Sequence, residues 1–152
     1  MITIRPMQEK DLKVVSEIEK ESFALPWSYE AFLRELYNPF SLSLVAERNG
    51  DVLGYAIALI YSSSLHLANI AVRKDSRRKG IGSLLLKEVE KKARKFGMKS
   101  ITLEVRASNK SAQKFYKKNK YSLVGIQKGY YPPTGEDAFV FEKVVRKVRE
   151  LS

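Results

Sequence analysis

The sequence predicts an α+β fold, and three observations predict it. Strand-length apolar runs alternate with stretches whose apolar residues recur at helical spacing, in the order β-α-α-β-β-β-α-β-α-β-β. Arg48-Asn49-Gly50-Asp51 stands between two apolar runs, and Asn-Gly in that setting is a strong hairpin signal. The run Leu65 to Val72 leads through Arg77-Arg78-Lys79-Gly80-Ile81-Gly82 into an amphipathic stretch, which reads as strand, glycine turn and helix. The 152 residues make one expected domain, 1–152, long enough to bury a substantial core.

Ile2 to Arg5 alternates and reads as a first strand. Asp11 is placed to cap a helix running to about Phe23, with Leu12, Val15, Ile18 and Phe23 at roughly helical spacing. Pro26 interrupts it, and Ser28 caps a second helix, Tyr29 to Tyr37. Trp27, the only tryptophan, is either a core plug or a wall beside a ligand. Ser41 to Glu47 and Val52 to Leu59 are the hairpin strands, and Ser62-Ser63-Ser64 leads to Leu65 to Val72. Ile81, Leu85, Val89, Lys92 and Phe96 sit at helical spacing, as do Leu84 and Ala93, which marks a helix over Ser83 to Phe96 that Gly97 ends in a left-handed conformation. Ser100 to Val105 reads as a buried strand, and Asn109 caps a helix from Lys110 to about Asn119 with Ala112, Phe115 and Tyr116 inward. Tyr121 to Gln127 and Asp137 to Val145 are the last strands, joined by a loop from Lys128 to Glu136. The basic tail to Ser152 says nothing further.

Composition narrows the chemistry. With no cysteine there is no disulfide, thiolate metal site or cysteine acyl-enzyme, and the lone His66 makes no histidine-rich metal site. No run approaches a membrane-spanning length, and Met1-Ile2-Thr3-Ile4-Arg5-Pro6 lacks a signal-peptide layout, so a cytoplasmic protein is expected. Of the net charge of +11, +8 lies between Arg73 and Lys99. Such a surface attracts phosphates, whether of nucleic acid or of a coenzyme.

The turn itself is the sharpest signal. Glycines let a backbone approach a ligand without a Cβ in the way, and the N–H groups of the first helical turn favour an anion. Arg77, Arg78 and Lys79 add positive charge. The arrangement is a cradle for a pyrophosphate, or else a glycine turn with a solvated basic run. Arg-x-x-Gly-x-Gly after a strand ending Asn69-Ile70-Ala71-Val72 resembles the coenzyme A motif of the GNAT acetyltransferase superfamily. Leu103-Glu104-Val105-Arg106-Ala107-Ser108-Asn109 and Tyr130-Tyr131-Pro132 with Glu136-Asp137-Ala138 extend the resemblance to its RimI-type branch, which acetylates protein N-terminal amines.

The resemblance implies the GNAT fold, a mixed central sheet splayed between its fourth and fifth strands with helices on both faces. It implies acetyl-CoA as co-substrate and no metal. The coenzyme is expected between Leu65 to Val72 and Ser100 to Val105, with backbone from Ile70, Ala71 and Val72 on its pantetheine arm. The cradle, Arg77 to Gly82 with Ile81 and Ser83, takes its pyrophosphate, and Asn109 is a helix cap that also contacts the coenzyme.

Acetyl transfer to an amine needs a base, a proton for the leaving thiolate, and reactants held at attack distance. Glu104 is the candidate base, acting through a water. It stands on the strand face opposite Leu103 and Val105, where the other reading is an ion pair with Arg106 or a lysine. His66 is the competing base, or a surface histidine at a strand start. Tyr116 matches the family position that faces the coenzyme sulfur and is the candidate acid; helical spacing alone makes it a core tyrosine. Trp27 and Tyr29 on one side and Tyr130 and Tyr131 on the other would wall the acceptor. Relatives carry a glycine where this chain has Lys120, so Asn119 is expected to take the left-handed turn there.

The expected function is transfer of an acetyl group from acetyl-CoA to a protein N-terminal α-amine, a ribosomal protein among the acceptors. Lysine side chains or a small amine are the alternative acceptors, and a basic nucleic-acid-binding module is the remote one. No membrane and no specific nucleic acid are expected as partners.

Overall fold

A computed structural model describes residues 1–146, so most of the basic tail lies outside the described residues. The elements are β1 (Thr3–Pro6), α1 (Leu12–Ser22), α2 (Tyr29–Leu36), β2 (Ser41–Arg48), β3 (Asp51–Tyr61), β4 (Ser64–Val72), α3 (Ile81–Lys95), β5 (Ser100–Arg106), α4 (Lys110–Lys118), β6 (Ser122–Tyr131) and β7 (Glu136–Val144). This is the expected order of strands and helices. The strands form one mixed sheet in the order β1-β2-β3-β4-β5-β7-β6. Two compact units share it: Met1–Ile60 with Leu67–Lys92, and Tyr61–His66 with Ala93 onward.

In the first unit the hairpin closes as its residues require. Asn49 and Gly50 take φ of 52° and 87°, the left-handed pair that a two-residue turn needs. The core gathers Leu12, Val15 and Ile18 of α1, Phe32 of α2 and Tyr55 of β3. Trp27 packs against it, its ring 5.2 Å from that of Phe32. Ser28 Oγ accepts from Ala31 N at 3.1 Å and caps α2. Asp11 departs from expectation. Its side chain does not cap α1 but takes both Arg5 guanidinium nitrogens, at 2.8 and 2.9 Å, and the Gln8 N–H. A bidentate guanidinium is the stronger partner, and it holds the Asp11 carboxyl below the usual carboxylate range against the opposing effect of burial. The helix ends at Ser22, and Phe23 is extended and 38 % exposed.

α3 starts at Ile81 rather than Ser83, with Ile81, Leu85, Val89 and Ala93 buried along one face. Leu84 and Phe96, which share the helical spacing, are exposed. Gly97 has φ of 73°, and the bonds Met98 N to Ala93 O and Gly97 N to Arg94 O close the helix end.

In the second unit β4 pairs with β5 in parallel from Ser64↔Ser100 to His66↔Thr102 only, the short contact expected of strands that splay. β5 and β6 both pair antiparallel with β7. Asn109 caps α4, its Oδ1 accepting from Ala112 N at 3.0 Å. At the far end Lys120, not Asn119, adopts the left-handed conformation, with φ of 73° against −87°. Asn119 instead donates its side-chain amide to Phe115 O at 2.9 Å, which holds it at the helix end. β6 runs on to Tyr131, so Tyr130 and Tyr131 belong to a strand and only four residues turn before β7. The pairing Tyr131↔Glu136 beyond a register shift extends it.

Candidate active site

β5 alternates as its sequence dictates. Leu103 and Val105 are buried on one face, and Glu104 and Arg106 stand on the other. His66 pairs in register with Thr102, two residues before Glu104 on that same face. Its Nε2 lies 2.8 Å from Glu104 Oε1 and 3.0 Å from Oε2. A carboxylate only accepts, so Nε2 carries the proton and donates it. The Tyr130 hydroxyl donates to Glu104 Oε1 at 3.4 Å. The two residues the sequence set up as rival bases are therefore one hydrogen-bonded pair. Glu104 keeps 17 % of its side chain exposed, and neither Arg106 nor a lysine pairs with it among the described residues.

Arg106 is occupied elsewhere. It pairs with Glu136 at 3.3 Å and lies 4.2 Å over the Tyr131 ring. Glu136 also accepts the Ser108 N–H at 2.6 Å, and hydrogen bonding from the Ser108 side chain and backbone, then from Arg106, holds its carboxyl below the usual range. This chain of contacts orders the β5–α4 junction, aided by Gln113, a buried residue the sequence reading passed over, whose amide donates to Arg106 O and Ala107 O. Tyr131 is pushed up to about 12 by burial first and Glu104 second, and burial with Glu104 also raises Tyr130. Both phenols remain hydrogen-bond donors at neutral pH. The tyrosines meet edge to face at 4.8 Å, with Tyr130 the more exposed.

Tyr116 is only 6 % exposed, packed against Phe115, Tyr121 and Phe141. It is thus a core tyrosine, as helical spacing required. Burial raises its hydroxyl above the usual phenol range.

In the first unit lies the glycine turn. Gly80 has φ of 79° and Arg78 of 64°, so these two residues make the bend. Gly82 is the second residue of α3 and supplies no turn conformation. The first helical bond runs from Leu84 N to Gly80 O at 3.1 Å. The N–H groups of Ile81, Gly82 and Ser83 precede it and have no intrahelical acceptor. A Cβ added at Gly80 meets nothing within 4 Å. Arg78 and Lys79 are exposed. Arg77 is tied into the fold, its guanidinium donating to Val72 O at 2.9 Å and Ser22 Oγ at 3.0 Å. Ile70, Ala71 and Val72 end β4 just upstream.

Trp27 serves as a core plug, and Tyr29 is 41 % exposed at the start of α2. Glu19, which the sequence reading did not single out, holds this region. Only 1 % exposed, it accepts the Trp27 N–H at 2.9 Å, the Asn69 side-chain amide at 2.6 Å and the Tyr55 hydroxyl. Burial and this carboxylate raise the Tyr55 hydroxyl well above its usual range. A glutamate between Ile18 and Lys20 was the only sequence signal, and its partners are distant in sequence. Glu19→Ala strands three donors, and we expect it to lower stability by about 3 kcal/mol. A urea melt checks this as a lower midpoint at unchanged m-value; an unshifted midpoint would show the network to be idle.

The sequence model of the Acetyltransferase (GNAT) family matches residues 12–121. The ribosomal protein bS18-alanine N-acetyltransferase of Escherichia coli (strain K12) is 34 % identical over 145 residues, 92 % of this chain and 95 % of that one. A Bacillus subtilis (strain 168) protein provisionally named for the same activity is 36 % identical over 138 residues, 90 % of this chain and 91 % of its own. The crystal structure of the ribosomal-protein-S18-alanine N-acetyltransferase from Escherichia coli matches the fold with a TM-score of 0.89 at 31 % identity, covering 100 % of this chain and 99 % of that one. A pattern that runs through both units, on a sheet with this strand order, settles the assignment: the chain belongs to the GNAT acetyltransferase family.

Proposed function

We propose that this N-acetyltransferase moves the acetyl group of acetyl-CoA to the N-terminal α-amine of a protein, a ribosomal protein of the bS18 class among its acceptors. The observation that carries the reading is Glu104: a shielded carboxylate whose partners are an imidazole and a phenol, not a lysine or arginine. A carboxylate locked to a fixed cation makes a poor proton acceptor, and Glu104 has no such lock among the described residues. Similarity to relatives named for ribosomal protein bS18 supports the acceptor. The family match spans both units and supports one GNAT domain. No helix among the described residues is long and apolar enough to cross a membrane, and with a ribosomal acceptor the working compartment is the cytoplasm.

In the ternary complex the amine nitrogen attacks the thioester carbonyl. A C–N bond forms, the C–S bond breaks, and coenzyme A leaves as a thiolate. Glu104 takes the amine proton through a water, and the His66 N–H and Tyr130 O–H steady the carboxylate's orientation. Tyr116 packs its ring in the core, and in this reading its hydroxyl is the group presented to the thiolate. A phenol at its ordinary pKa of about 10 is already a weaker acid than a thiol at about 8.5, and burial widens that gap. Tyr116 therefore stabilises the thiolate chiefly by donating a hydrogen bond. Ile70, Ala71 and Val72 carry the pantetheine arm, the α3 N-terminus with Arg78 and Lys79 carries the pyrophosphate, and Asn109 lies along the same ligand. Arg77 sets the shape of the turn. Tyr130 and Tyr131, beside Glu104, are assigned to the acceptor, and so are Trp27 and Tyr29 of the first unit, Trp27 through the face not packed on the core.

An α-amine, with a pKa of about 7.7–8.0 against about 10.4 for lysine, asks roughly 2.5 units less of the base, about 3.5 kcal/mol if fully felt. The test compares a peptide bearing a free N-terminus and an internal lysine with the same peptide N-terminally blocked. We expect acetylation of the first only. Comparable turnover of the blocked peptide would move the acceptor to lysine. Tyr130→Ala should raise KM for the peptide and leave that for acetyl-CoA unchanged.

A further inference from the structure

From Ala107 to Gly135 the chain has no acidic residue, while it carries Lys110, Lys114, Lys117, Lys118, Lys120 and Lys128. The first four lie on α4 at spacings of four, three and one, which set them along one side of the helix. Gln113 and Tyr116 point into the core from the other side. All four are exposed, as is Lys120, and none of the five pairs with a carboxylate among the described residues.

The other helices are built differently. α1 mixes Lys13 and Lys20 with Glu17 and Glu21, α2 sets Arg34 between Glu30 and Glu35, and α3 offsets Lys92 with Glu88 at 4.0 Å. A mixed face is what solubility and helix stability favour, because like charges one turn apart repel. Lys110 and Lys114 repel across one turn, while Lys117 and Lys118 sit in the last turn where the helix dipole favours cations, so the dipole accounts for only half of the face. Lys120 adds a second cost, since its left-handed backbone is one glycine adopts freely and lysine at about 1–2 kcal/mol.

We propose that the lysine face of α4, continued by Lys120, docks on the phosphate backbone of RNA. Flexible ammonium groups on long stems suit a line of phosphates and read no base sequence. The face supplies no exposed aromatic ring for stacking, so binding is electrostatic and without sequence preference. The choice of RNA among polyanions rests on the proposed ribosomal acceptor, whose surroundings are RNA. Held there, the enzyme would meet its acceptor at raised local concentration.

The experiment is fluorescence anisotropy of an end-labelled single-stranded RNA of mixed sequence across a salt series, with no coenzyme or peptide present. Its outcome is therefore separate from that of the acetylation assay. The variant is the triple substitution Lys114→Gln, Lys117→Gln and Lys118→Gln, which keeps good helix formers and touches no residue assigned to the reaction. We expect RNA affinity to fall about tenfold or more at moderate salt, and the slope of log K against log salt to flatten by about 2. Circular dichroism should show the same helix content, and kcat with a short free peptide should stay at the parent value. Unchanged affinity and slope in the triple variant would overturn the proposal. So would loss of RNA binding in Lys87→Gln with Lys91→Gln on α3 while the α4 variant binds normally. Polyglutamate binding more tightly than the RNA at equal charge concentration would make the occupant an acidic protein and likewise overturn it.

Discussion

Glu104→Gln is expected to lower kcat by about 10²–10⁴, or about 3–5 kcal/mol of transition-state stabilisation, with the affinity for acetyl-CoA nearly unchanged. The substitution keeps the shape and the acceptor oxygen that His66 and Tyr130 address, and removes only the capacity to take a proton. Loss of packing is thus separated from loss of basicity. His66→Ala is a different perturbation, because it frees one side of the carboxylate without abolishing it. Its kcat should fall less, about tenfold, and the double variant should be hardly worse than Glu104→Gln, since a positioning residue has nothing left to position. Steady-state kinetics on a free-N-terminus peptide, with acetyl-CoA affinity from titration calorimetry, decides the matter. A harmless Glu104→Gln beside a crippled His66→Ala would make the imidazole the base and the glutamate its orienting group.

That pair shows where the sequence could be read and where it could not. Signals confined to a few neighbouring residues were legible: Asn49-Gly50 at the hairpin, Ser28 and Asn109 as caps, Gly97 at a helix end. Each is dictated by backbone geometry within one turn. Glu104 was legible as an anomaly, a carboxylate alternating with Ile101, Leu103 and Val105. Its partner was not, because His66 lies 38 residues away and pairing depends on strand register. The same holds for Glu19, whose donors Tyr55 and Asn69 are 36 and 50 residues distant. Tyr130 and Tyr131 read as part of the loop from Lys128 to Glu136, yet pairing with β7 carries the strand on to Tyr131. At Lys120 and Asn119 local propensity pointed to the wrong residue, because Asn119 found a side-chain bond to its own helix.

Gly80→Glu is expected to weaken coenzyme A binding by about 100-fold or more. The N–H groups of Ile81, Gly82 and Ser83 precede the first helical bond, and Arg78 and Lys79 stand exposed beside them. Unpaired N–H groups at a helix start beside exposed cations suit an anion, as the proposed cradle requires. A Cβ at Gly80 meets no protein atom within 4 Å, so a side chain there occupies open space, the space a pyrophosphate would fill. A glutamate brings its own negative charge to it. Two like charges about 4 Å apart repel by about 4 kcal/mol at an effective dielectric of 20, and solvent removes part of that. The backbone contributes a separate effect, because φ of 79° costs a side-chain-bearing residue about 1–2 kcal/mol. Gly80→Asn isolates it. Asparagine tolerates the left-handed region and is neutral, so its variant should fold with only a mild loss of affinity. Calorimetric titration with coenzyme A, beside a thermal melt of each variant, separates strain from charge. The glutamate variant should melt near the asparagine one and bind far more weakly; equal affinities in the two would remove the pyrophosphate from this turn.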